Sequence, residues 1–295
     1  MRKIVYQPAG VCIYCGCRTG KLSMEHILAK SLGGKWELPR ASCANCAEWT
    51  SNFERAMARD FYGALRATAN YPSRRKKDRP KHFVVDVISP RGLHSKVVVP
   101  VADYPSICPA VTLPEAGILT GAPLSDSNPE MQIGMVADDP GQIARLLARF
   151  EEGSFVKLAM RVDFSNFALT LAKTAHAFTV ANLGFDGYEP FLPEVVRGLN
   201  PHLSHFVGGW PYAFGGCVGN PTLGMTIKEH RGYLLVLIEL FHGRLQPFAV
   251  VAGRITDLNL LGHTQANSRI VCESDFAQTV PHWEDELSSS CGTRT

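Results

Sequence analysis

The chain has 295 residues, a formal net charge of +3 and 45% hydrophobic residues, enough for two domains with a full core in the larger one. No apolar run is of membrane-spanning length, since Tyr233–Phe241 is short and carries Glu239, and the opening eight residues lack the apolar stretch of a secretory leader. The charge is partitioned: residues 1–82 carry sixteen Lys/Arg against six Asp/Glu, whereas 83–295 carry fourteen against twenty-one. A front segment of that sign suits a polyanion, whose phosphates exchange counterions for basic side chains.

The first element is a cysteine knuckle, Cys12-x-x-Cys15, and a second, Cys43-x-x-Cys46, follows about thirty residues on. Two such pairs supply the four soft ligands that tetrahedral Zn²⁺ prefers. The other five cysteines (Cys17, Cys108, Cys217, Cys272, Cys291) have no repeating spacing and read as reduced thiols of a cytoplasmic protein. Between the knuckles, Leu22–Gly34 places an acid and an imidazole, Glu25 and His26, side by side in a short apolar stretch that ends in two glycines.

Residues 47–69 have helical periodicity through Trp49, Phe53, Met57, Phe61 and Leu65, with Arg55, Arg59 and Arg66 on another side. The basic run Arg74, Arg75, Lys76, Lys77 follows, within a linker expected over 71–82. Beyond it, 82–89 and 94–101 predict a hairpin, 100–129 an irregular Pro/Gly-rich stretch, and 131–136 a strand. A helix is expected from about Pro140, a strand over 155–162, and a long helix from Phe167 to Leu183 capped by Asp163 or Ser165, with Lys173 and His176 among apolar residues. Residues 232–241 and 246–252 predict a second hairpin, its first strand buried on both faces. His202-x-x-His205 reads as an incidental pair, Trp210–Gly216 as a stacking pocket or core, and 284–295 as a polar tail.

Taken in order, CIYCG, SMEHILAKSLGG and CANC before a helix resemble the HNH (ββα-metal, His-Me finger) endonucleases of the zinc-knuckle type, over roughly residues 10–70. The resemblance implies an α+β protein in which a small zinc-stapled ββα-metal domain (1–70) precedes a larger α+β domain (83–283) of specificity, dimerisation or regulatory role. It implies a structural zinc on Cys12, Cys15, Cys43 and Cys46. It also implies His26 as general base and Glu25 as ligand of a catalytic Mg²⁺ or Mn²⁺. The substrate would be DNA, with RNA not excluded, contacted by Arg55, Arg59, Arg74, Arg75, Lys76 and Lys77. A homodimer or a regulatory ligand would act through the second domain, and no membrane partner is expected.

The pattern departs at Ala47, where the family has an asparagine that supplies the second protein ligand to the catalytic ion. Thr50, Ser51 and Glu54 would share the Ala47 face, whereas Asn52 would lie about 140° round the helix. Three explanations stay open. Ala47 is an inactivating change from asparagine, or it marks a binding-only protein, or the ion is held by Glu25 with another residue such as Glu54.

Overall fold

A computed structural model describes residues 3–71, 79–137, 139–158, 161–212, 223–240, 246–257 and 260. The cysteine-rich front contains strands β1 (Ile4–Val5), β2 (Ser23–His26) and β3 (Trp36–Ser42), in the order β1-β3-β2 with β1 parallel to β3. Strand β3 leads through Cys43, the N-cap residue, into helix α1 (Ala44–Ala56). The expected single helix over 47–69 is instead α1, a π-helical turn over Met57–Phe61, and α2 (Gly63–Thr68). At the π turn, the Tyr62 amide donates to the Met57 carbonyl at 3.0 Å, five residues back. That frees the Ala58 carbonyl, which accepts from Arg66 Nη1 at 2.7 Å.

The expected hairpin is β4 (His82–Ile88) with β5 (His94–Pro100), and β6 (Ile107–Thr112) and α3 (Gly117–Thr120) lie within the stretch read as irregular. Strand β7 (Gln132–Ala137) pairs with β6, and α4 (Pro140–Leu147) starts at Asp139, whose carboxylate accepts from the Gly141 amide at 2.8 Å. Strand β8 (Phe155–Lys157), which pairs with β4, is shorter than the run expected over 155–162.

Helix α5 (Phe164–Leu183) is capped by Asp163, one of the two residues expected, begins three residues before the expected Phe167, and is buried on nearly every side. After β9 (Tyr188–Pro190), α6 (Leu192–Val196), α7 (Leu203–Phe206) and β10 (Val207–Gly209) come three long strands: β11 (Leu223–His230), β12 (Tyr233–Leu240) and β13 (Phe248–Ile255). They form an antiparallel sheet in the order β10-β13-β12-β11, with β9 also on β13. All of β12 after Tyr233 is buried, as its continuous apolar run predicts. The architecture is mixed α+β.

One buried cluster runs from Cys12, Trp36, Phe53 and Tyr62 through Phe167 and Phe178 on α5 to Val236 and Phe248 of the long sheet. Trp36 stacks on Phe178 at 5.7 Å, and Phe167 bridges Phe61 and Phe248 edge-on. Described residues on both sides of the 71–82 linker expected from sequence contribute to this core. Among the described residues, no helix is long and apolar enough to cross a membrane.

Candidate functional site

The two knuckles meet where backbone hydrogen bonds turn them. Gly16, in a left-handed conformation, donates to the Cys12 carbonyl at 2.8 Å, the Cys12 amide to the Cys17 carbonyl at 2.8 Å, and the Ile13 amide to Ala41 of β3 at 2.9 Å. The sulfurs of Cys12, Cys15, Cys43 and Cys46 then lie within 4.8 Å of one another, with Cys15 and Cys43 at 3.7 Å. A tetrahedral ion with Zn–S bonds of about 2.3 Å needs sulfurs roughly 3.8 Å apart, so the set fits a metal such as zinc. Cys17 stays outside it, with its sulfur 3.4 Å from the Thr19 carbonyl. Burial alone would raise the Cys43 thiol, but the Cys46 amide and the neighbouring sulfurs bring it down to about 7, close to ionisation at neutral pH.

Strand alternation separates the acid from the imidazole. Glu25 is opposite Leu38 and His26 opposite Glu37, past an irregularity between Ser23 and Glu25. Glu25 therefore points into the core, 5% exposed, while His26 keeps part of its surface open. The Nδ1 of His26 is 3.8 Å from Glu37 Oε1, and Glu37 is also paired with Lys3 at 2.6 Å. Burial pulls the His26 pKa below its ordinary value, only partly opposed by Glu37, which favours the neutral ring.

A buried carboxylate needs a partner, and the partner of Glu25 comes from the middle of α5. Lys173, 0% exposed, places its ammonium 2.5 Å from Glu25 Oε1 and 2.7 Å from Glu54 Oε1 of α1. It also donates to the His26 carbonyl and, at 3.4 Å, to that of Ile27. Burial by itself would lower the Lys173 pKa, but the two carboxylates outweigh it and hold the ammonium charged. Glu25 and Glu54, the two acids considered together from sequence, do converge. What lies between them is an ammonium.

Ala47 sits in the first turn of α1, half-buried, its amide bonded to the Cys43 carbonyl at 2.9 Å, and its methyl group offers no ligand atom. With both carboxylates engaged by Lys173, the residues present do not fit a divalent cation as they stand.

His26 opens onto a cleft of about 850 Å³ whose wall, among the described residues, carries Lys30, Arg55, Arg59, Arg66 and Arg79 against Glu54 and Asp60. Tyr71, Phe83 and Tyr104 supply aromatic surface to the same cleft. Arg55 and Arg59 are exposed, whereas Arg66 is half-buried and fixed by Nε to the Ser31 carbonyl at 2.6 Å and by Nη1 to Ala58. Arg79 is held by the Tyr71 carbonyl at 2.5 Å and by Asn70. Arg74, Arg75, Lys76 and Lys77 lie outside the described residues.

Lys173, Arg66, Arg79 and Glu37 were not singled out as site residues from sequence. Lys173 did give a signal: a lone lysine inside an apolar helix must find acids, and two were already in view. Elsewhere, His176 is a core residue whose Nε2 bonds the Ile13 carbonyl at 2.7 Å, and His202 faces Asp126 at 2.9 Å. Trp210 packs in the core with Lys228 Nζ 4.5 Å from its ring centre, and residues 213–216 of that aromatic stretch lie outside the described set. No protein-family model matches this chain, no curated protein matches it in sequence, and no solved structure matches it in fold.

Proposed function

We propose that the protein acts on nucleic acid as an HNH-type endonuclease, with a zinc ion on Cys12, Cys15, Cys43 and Cys46 stapling the knuckles to β3 and α1. The observation that carries the reading is His26 on the wall of a cleft that also carries four arginines; burial, which lowers the pKa of its ring, favours the form that can accept a proton. A phosphodiester backbone in that cleft would have its charge met by Arg55, Arg59, Arg66 and Arg79. The free ring nitrogen of His26 would take the proton of the water attacking phosphorus as the bond from phosphorus to the 3′ oxygen breaks, and the leaving oxygen would take a proton from solvent. DNA is the favoured polymer, and the aromatic wall also suits unpaired bases. The zinc would supply no chemistry beyond fixing the fold.

A second reading, a zinc-stapled module that binds nucleic acid without cutting it, is favoured by Lys173 between the acids and by the methyl group of Ala47. Plasmid nicking by the native chain and by His26→Ala decides between them. Cleavage that His26→Ala abolishes supports the nuclease. Salt-sensitive binding by both chains with no cleavage by either supports the module, and absence of binding by either overturns both readings.

A further inference from the structure

We propose that the Lys173 ammonium is the resident cation of the Glu25–Glu54 pair, built into the fold in place of a divalent ion. The inference rests on the reading of Glu25 and of the α1 face as the family's metal position.

Four oxygens converge on this one nitrogen: Glu25 Oε1, Glu54 Oε1 and the carbonyls of His26 and Ile27. Carboxylates and carbonyls are the donors that hard cations take. Here they come from β2, from the segment just after it and from α1, three places that a bound ion would otherwise tie together. The ammonium does the same from α5. Its side chain is 0% exposed, so it cannot swing out to reach a substrate, and its role is to position. By holding the His26 carbonyl it fixes the backbone of the residue whose ring faces the cleft.

Ala47 follows from this arrangement. With a lysine between the acids, an asparagine donor at the start of α1 has no ion to bind.

The test reads metal rather than cleavage. The full chain, loaded with zinc, is titrated with Mn²⁺ and followed by electron paramagnetic resonance, alongside Lys173→Met and Lys173→Met/Glu25→Gln. Mn²⁺ prefers oxygen donors, so it leaves the cysteine site alone. The expected result is no Mn²⁺ bound by the native chain, one ion bound by Lys173→Met, and none once Glu25→Gln is added. One Mn²⁺ on the native chain that Glu25→Gln removes overturns the proposal, as does a folded Lys173→Met that binds none. Should Lys173→Met fail to fold alone, it is refolded with and without Mn²⁺: recovery only with the ion supports the proposal, and failure in both overturns it. Nucleic acid enters none of these readouts, so the outcome is separate from that of the nicking assay.

Discussion

Lys173 donates to the backbone carbonyl of His26, a residue 147 positions earlier, so the imidazole at the cleft is set in place by the central helix of the protein. The same ammonium pairs with both Glu25 and Glu54. Replacing it with methionine leaves two carboxylates facing each other without a counterion. In the absence of added metal, Lys173→Met is expected to lose about 3–5 kcal/mol in urea unfolding, as breaking buried pairs does. The triple change Glu25→Gln/Glu54→Gln/Lys173→Met should recover much of that loss, because no unpaired charge remains.

Arg55 and Arg59 are exposed on the cleft wall; Arg55 donates to the Ser51 hydroxyl at 3.3 Å within its own helix, whereas Arg66 ties two backbone carbonyls from separate segments. Each alanine substitution should leave the melting temperature unchanged and reduce the salt slope of DNA binding by about one unit. Fluorescence anisotropy across a salt series measures both affinity and slope. Arg66→Ala should behave differently, lowering stability as well, since it orphans the carbonyls of Ser31 and Ala58.

The four-cysteine set predicts about one zinc per chain, lost in Cys12→Ser and Cys46→Ser and kept in Cys17→Ser. Metal content by mass spectrometry checks this directly. Chelation should loosen the front of the chain while the long sheet keeps its hydrogen-exchange protection, because that sheet has its own apolar packing.

His176 is fully buried, and burial lowers its pKa to about 4. The unfolded chain takes up this proton near pH 6.5 and the folded chain only near 4, so the unfolded state gains as pH falls between those values. Stability from this group is complete above pH 6.5 and falls by up to about 3 kcal/mol on the way to pH 4. His176→Gln, which has nothing to titrate, should show a shallower decline in urea midpoint over that window.

Gly34 allows a close approach that no other residue could make: a Cβ there would sit 2.0 Å from the Leu28 carbonyl oxygen. Gly34→Ala should therefore displace the segment just after His26 and lower both the melting temperature and DNA affinity, whereas Gly10→Ala, with open space around it, should cost only its backbone strain.

Local pattern made much of this legible in the sequence. β-Branched and apolar runs and helical period gave β4, β5, β12 and α5 to within a few residues, and Asp163 was one of the two residues expected to cap α5. The cysteine spacing put four sulfurs together because a knuckle is a local structure. What the sequence withheld depends on long-range packing. The π turn at Met57–Phe61 has no residue signature of its own, and β6 hides among prolines because its pairing with β7 is decided twenty residues away. Lys173 was visible as an oddity on an apolar helix, but its partners became clear only when α1 and β2 were laid against α5.

The shared core sets a limit on dissection. A fragment ending after α2 would keep every residue of the motif, both knuckles and the Glu25-His26 dipeptide included, yet it would lose the ammonium that pairs with its acids. Such a piece would display a bare pair of carboxylates and a hydrophobic flank, and its affinity for metal ions would belong to the truncation rather than to the protein.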